Sequence, residues 1–391
     1  MKTELTLALS IFFWIAVQTL TAQIQILYGP YLQNVKETET TIVWEADKAS
    51  IGWVELAPND GSHFYTEERT KYFDTTNGVK NTSLLHCIKI KNLKPGTTYR
   101  YRVYAQEVLS HQGHQVRYGN IAATNVYKEA PLTFTTNDTQ KTEIAFAMVN
   151  DIHGREGVIT QLLNVANFKE KDLIIFNGDM VSQIRDKQTL FEGFMNESIN
   201  LFAKEKPMYY ARGNHETRGE FATFFQDYFS PKEPYLYYVF QHGPVCFIVL
   251  DTGEDKPDSD IEYSGITDYD NYRSEQMEWL KTLKNHPDIQ NATFKVVIAH
   301  MPPSQVKTIW HGQKEIMNKF VPILNELKVD LMLSAHLHRN VYEESNATVN
   351  FPLLVNSNNS VVSVEANLKE LNVKVLDMTG KLINQKVYPS K

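Results

Sequence analysis

After Thr142 the chain changes rhythm, and that change limits the folds open to it. Strand-length apolar runs, TEIAFAMVND, DLIIFNGD, PMYYARGNH, YLYYVFQ, VCFIVLD, FKVVIAH and VDLMLSAHLH, alternate with stretches of helical periodicity such as EGVITQLLNVANFKEK, SEQMEWLKTLKN and KEIMNKFVPILNEL. Such alternation predicts an α/β domain over residues 139–391, with functional side chains gathered beyond the carboxyl ends of its strands. The closing runs, NFPLLVNS, SVVSVEA, ELNVKVLD and KLINQKVY, predict strands that complete a sheet, with Thr379-Gly380 in a hairpin turn.

Residues 23–138 read differently. Short runs with β alternation, TTIVWEA, IGWVELA, LLHCIKIKNL, TTYRYRVYA and PLTFTT, are broken by turns such as Pro95-Gly96. They predict a small antiparallel β-sandwich. It carries no catalytic cluster: His111 and His114 in HQGH read as a solvated loop. The polar stretch TTNDTQKT, Thr135 to Thr142, marks the boundary between the two units, and 391 residues allow both. Residues 1–22 hold Lys2, an apolar run from Leu5 to Val17, and Thr21-Ala22, the pattern of a cleaved export signal. The run is short for a membrane span, so the mature chain is expected to have none and to be periplasmic or secreted. Only Cys87 and Cys246 are present, one in each unit, and both read as buried unpaired thiols. A formal charge of -7 excludes a nucleic-acid duplex as partner, because phosphate neutralisation needs a basic surface.

The chemistry lies at the strand ends. The first run ends in Asp151 and His153, the second in Asp179, the third in Asn214, His215 and Glu216, a later one in His300, and the last in His336 and His338. If the last segment stayed extended, His336 and His338 would share a face. Imidazole, carboxylate and amide oxygen without thiolate suit first-row divalent or trivalent ions. The set exceeds the needs of one ion, and two ions sharing a carboxylate would use it fully. A hydroxide bridging ions roughly 3.5–4 Å apart can attack phosphorus while both metals hold the other oxygens.

The ordered motifs DIH, GD, GNHE, AH and AHLH resemble those of the calcineurin-like metallophosphoesterases. The resemblance implies a central β-sandwich flanked by helices and two ions, manganese, iron or zinc. It implies that Asp151, His153 and His338 bind the first ion, that Asp179 bridges, and that Asn214, His300 and His336 bind the second. It gives His215 the role of general acid over a small phosphoester substrate, with Glu216 orienting its ring. GPYLQN, TTIVWEAD and LKPGTTYRYRV in the first unit resemble the fibronectin-type domain that precedes the catalytic domain of purple acid phosphatases. Two positions depart from that family: Ser182 stands where its tyrosine ligand falls, and His153 is present where it lacks a histidine. No tyrosinate-to-iron colour is therefore expected. Ala335 replaces the usual glycine before His336, and ordinary backbone is expected there.

Arg155 and Arg212 flank two motifs and are expected to bind substrate phosphate bidentately, with pairing to a ligand carboxylate as the alternative. Trp310, His311 and the acidic loop Asp251 to Tyr272 are candidates for the mouth of the site. The leading reading is an exported phosphate monoesterase or diesterase. Its rivals are an inactive surface protein that binds through the β-sandwich and a specialised nucleotidase or pyrophosphatase. Metal identity, substrate and oligomeric state are not written in these motifs.

Overall fold

The computed structural model describes residues 23–229, 232–303 and 309–391. The export signal expected over residues 1–22 lies outside the described residues.

The N-terminal unit is an antiparallel sandwich built around one long strand, Glu39–Pro58. Its first half pairs with Ile26–Gln33 and Ser83–Lys91, and its second half with Lys71–Phe73 and Thr98–Gln112. The strand thus passes from one layer to the other. Trp44 from the first half and Val54 from the second meet Leu32, Ile88, Tyr101 and Phe134 in a single core. The runs TTIVWEA and IGWVELA suggest two separate strands here. Instead the pairing with Ser83–Lys91 slips between Glu45 and Ser50, so the backbone bends without ending.

The second unit is two six-stranded sheets face to face. One runs in the order Met208–Ala211, Leu173–Asn177, Glu143–Val149, Ser360–Asn367, Glu370–Asp377, Leu382–Pro389. The other runs Tyr238–His242, Val245–Leu250, Phe294–Ala299, Leu331–Ser334, Leu353–Val355, Val341–Glu343. The inner faces interdigitate through Phe146, Met148, Ile175, Phe247, Val296, Ile298 and Leu333. On the outer faces lie the helices Val158–Val165, Tyr269–Thr282, His311–Lys319 and Val321–Glu326, whose buried stripes include Leu162, Leu280, Ile316 and Leu324. Each sheet holds three adjacent parallel strands, 143–149/173–177/208–211 and 245–250/294–299/331–334, which brings their carboxyl ends to one rim. The apolar runs are buried on both faces, which is why they show little alternation.

The units are docked. Tyr28 stacks on Phe191 at 3.8 Å, the Tyr31 and Tyr101 hydroxyls donate to the Tyr228 and Lys204 carbonyls at 3.1 and 2.6 Å, and Lys89 pairs with Glu233 at 2.7 Å. The connecting stretch is itself buried: the Asn137 amide donates to the Val35 carbonyl at 3.1 Å and to the Tyr209 hydroxyl at 3.0 Å. Cys87 and Cys246 are buried free thiols. No helix among the described residues is long and apolar enough to cross a membrane.

Candidate metal centre

The strand ends meet at the rim, and backbone geometry explains how. Asp151, His153, Asp179, His336 and His338 all have positive φ, at 50°, 52°, 55°, 72° and 52°. Each such turn costs an L-residue about 1–3 kcal/mol and persists only where its surroundings over-determine it. Here the loops lock one another: the amides of Asp151 and His153 donate to the carbonyls of Gly178 and Asp179 at 2.9 and 3.0 Å, and the Ala335 amide donates to the His300 carbonyl at 2.9 Å. The glycines of NGD and GNH are required by contact. A Cβ on Gly178 would lie 2.5 Å from Gly213 Cα, and one on Gly213 would strike Asp179 Oδ1. The expected extended geometry of residues 335–338 is not seen. The strand stops at Ser334, and the left-handed residues are His336 and His338 while Ala335 keeps an ordinary φ. The two rings are therefore aimed separately.

Two groups of ligand atoms result. Asp151, His153, Asp179 and His338 form one, Asp179, His300 and His336 the other, each within 4.8 Å, with Asp179 in both. Each aspartate uses one oxygen to fix itself. Asp151 Oδ2 accepts from the Asn150 amide at 2.7 Å and from the His336 amide at 3.1 Å, and Asp179 Oδ1 accepts from the His215 amide at 3.0 Å. The other oxygens face imidazoles: Asp151 Oδ1 lies 3.2 Å from His338 Nε2 and Asp179 Oδ2 lies 3.0 Å from His300 Nε2. His153 Nε2 and His338 Nε2 face each other at 3.2 Å, and Asn214 Oδ1 lies 3.0 Å from His336 Nδ1. His300 donates from Nδ1 to the Asn177 carbonyl at 2.7 Å, which aims Nε2 at the ligand group as the nitrogen that a bound cation would take in place of a proton.

This donor set fits cations. Asp151 Oδ1 and His300 Nε2 are buried with no hydrogen-bond partner among the described residues, a loss of about 1–3 kcal/mol each unless a ligand satisfies them. Burial, reinforced by His300, pushes His336 down to about 4, and burial also lowers His153, so both rings are neutral and able to ligate. Burial opposes charge on His300, yet the carboxylates of Asp179 and Asp151 push it up to about 10, which shows how strongly this pocket favours positive charge.

The family model of the calcineurin-like phosphoesterases matches residues 144–340, just over half of the chain and the whole of this ligand set. The chain belongs to this family. The N-terminal domain of purple acid phosphatases matches residues 29–118. A curated relative, purple acid phosphatase 21 of Arabidopsis thaliana, is 23% identical over 271 residues, 66% of this chain and 53% of the relative, so the chain spans about half the length of that protein. Among solved structures the chain is similar to a 5'-nucleotidase from Candida albicans SC5314 at 15% identity and a TM-score of 0.39, covering 62% of this chain and 52% of that one. It is also similar to the E. coli phosphoesterase Yfce at 12% identity and a TM-score of 0.31, covering 62% of this chain and 98% of that one.

Other residues of this calcineurin-like phosphoesterase do work that the sequence did not assign them. The Glu216 carboxylate is bonded away from the His215 ring, to backbone amides and the Tyr210 hydroxyl. The ring is held instead by the Ser182 carbonyl, 2.7 Å from Nδ1. Arg212 is buried in an ion pair with Asp251 at 2.8 Å, between the rings of Tyr269 and Tyr272. Arg155 bonds the carbonyls of Ile152, Asp151 and Asn358 and the Asn359 amide oxygen, tying the first ligand loop to the loop that follows strand Leu353–Val355. The guanidinium groups expected on substrate phosphate are thus engaged by the protein. His311 pairs with Asp270 at 2.8 Å, and the grouping of Asp270, His311 and Glu315 is balanced by Arg273 and Lys319. Trp310 is exposed, with Lys256 Nζ 5.5 Å from its ring. One contributor went unnoticed: Asn356, at another strand end, donates to Asn150 Oδ1 at 2.7 Å. Its signal was the same as that of the ligands, a polar residue closing the run PLLVN.

Proposed function

We propose that this phosphoesterase is an exported enzyme that hydrolyses phosphate monoesters or diesters at a pair of metal ions. The observation that carries the reading is Asp179, whose single carboxylate belongs to both ligand groups. Asp151, His153, Asp179 and His338 would hold one ion, and Asp179, Asn214, His300 and His336 the other. Manganese, iron and zinc all suit these donors. When bound, such a pair supplies a nucleophile at neutral pH and withdraws charge from the phosphoryl oxygens.

The remaining work falls to the chain. His215 is outside both ligand groups, with Nδ1 fixed on the Ser182 carbonyl and Nε2 turned toward the centre, 3.9 Å from Asp179 Oδ2. With Nδ1 anchored there, Nε2 is the ring nitrogen free to serve the leaving oxygen, which supports His215 as the general acid of this reading. Ser182 Oγ lies 3.4 Å from His153 Nδ1 and offers no phenolate, so by this reading the protein lacks the purple tyrosinate-to-iron colour. Export rests on the apolar leader at residues 1–22.

The test is to strip the protein of metal, restore manganese, zinc or iron separately, and assay nitrophenyl phosphate and its diester. About two ions per chain and turnover on at least one ester are expected. Metal-replete protein inert to both would sink the reading and favour a binding role.

A further inference from the structure

Behind the ligands, facing away from the rim, a carboxylate is buried with no cation. Glu216 is 0% exposed, and no Lys, Arg or His among the described residues pairs with it. Five donors converge on it. Oε2 accepts from the amides of Asp179 at 2.8 Å and Gly213 at 3.0 Å, and Oε1 accepts from Met180 at 2.7 Å, Val181 at 3.3 Å and the Tyr210 hydroxyl at 2.9 Å. Three of the donors are consecutive amides, 179, 180 and 181, in a turn that enters through left-handed Gly178 and Asp179 at φ 77° and 55°. Consecutive amides in such a turn form a concavity that binds anions. In many proteins the anion is a ligand. Here it is part of the chain.

The consequence concerns Asp179. Its left-handed backbone amide is held by Glu216 behind, and its carboxylate is held in front by the His215 amide, which donates to Oδ1. The Glu216 carboxylate also ties this turn to Gly213, so the loops carrying Asp179 and Asn214 are fixed to one another through a single side chain. We propose that Glu216 is a positioning residue that sets the shared carboxylate of Asp179 between the two ligand groups, acting through the backbone and not through the His215 ring. The inference rests on Asp179 serving both ions.

Glu216→Gln tests it with little change of volume. The amide keeps one acceptor oxygen but turns an NH2 toward amide donors, breaking the convergence. Mn2+ is titrated calorimetrically into metal-stripped wild-type and variant protein of the full mature chain, with circular dichroism as the check on folding. Affinity for both ions is expected to fall about 10–100-fold, the usual effect of losing an outer partner of a metal ligand. The pH profile of kcat, which reports the general acid, should keep its shape. Unchanged affinity with a lower kcat or an altered profile would overturn the proposal in favour of ring orientation, and unchanged behaviour throughout would overturn it outright. If Glu216→Gln does not fold, Tyr210→Phe decides. It removes one of the five donors and should weaken Mn2+ binding by a few-fold, whereas no change would refute the proposal. Wild-type protein binding fewer than two Mn2+ ions would fault the dinuclear reading itself, independently of either variant.

Discussion

The two ligand groups share Asp179 but differ in where they sit. The inner group, Asp179, His300, His336 and Asn214, grows from the core between the sheets. His300 is fully buried, and Asp179 and Asn214 are nearly so. The outer group hangs on loops: Asp151 is buried, but the His338 side chain is 47% exposed and His153 is half-buried. Packing holds the inner group, whereas a network of backbone turns tied by Arg155 holds the outer one. The inner ligands are therefore assembled with the fold, while the outer ones depend on loops whose geometry can relax.

Losing the shared carboxylate should collapse both groups at once. Asp179→Ala removes the ligand common to both groups, so metal analysis should find neither ion firmly held. Hydrolysis should fall by more than the ~10²–10⁴-fold that loss of a general acid costs. Retention of both ions would break the shared-ligand reading. Next in size is His215→Ala, outside both groups, which should keep the metal content of the wild type and lose ~10²–10⁴-fold in kcat.

One ligand from each group separates the two sites. His300→Ala should lose the inner ion even with excess metal in the assay, since it leaves a cavity in the core. His338→Ala should regain activity to within roughly 10-fold of wild type on adding metal, in line with the lower range for weakened metal sites. Equal rescue of both would remove the distinction. The smallest effect is kinetic: wild-type protein treated with a chelator should release its metal in two phases, the outer ion first, and the slow phase should be absent from His300→Ala. A single phase in the wild type would show that the ions exchange as a unit.

The sequence showed which residues gather, because each ligand closes an apolar run and parallel strands bring such ends to one rim. It did not show how they are aimed. Five ligands occupy left-handed turns that only the reciprocal bonding of separate loops sustains, and propensity carries no trace of a partner 26 or 185 residues away, as with Asp179 and Asp151 on His153 and His336. The same limit explains Arg155, Arg212 and Glu216. A charged side chain beside a motif suggests contact with substrate, whereas burial and a ready acceptor or donor array decide otherwise. In the sandwich, TTIVWEA and IGWVELA read as two strands because polar residues lie between them, but Asp47 Oδ1 accepts from the Gln25 amide at 2.8 Å and one strand runs through.

A connector whose Asn137 amide is locked between Val35 and Tyr209 gives the chain no hinge. Heating should melt the N-terminal sandwich and the hydrolytic half in one cooperative event, and cutting the sandwich away would expose an aromatic flank around Phe191 and Tyr228, leaving the remainder prone to clump.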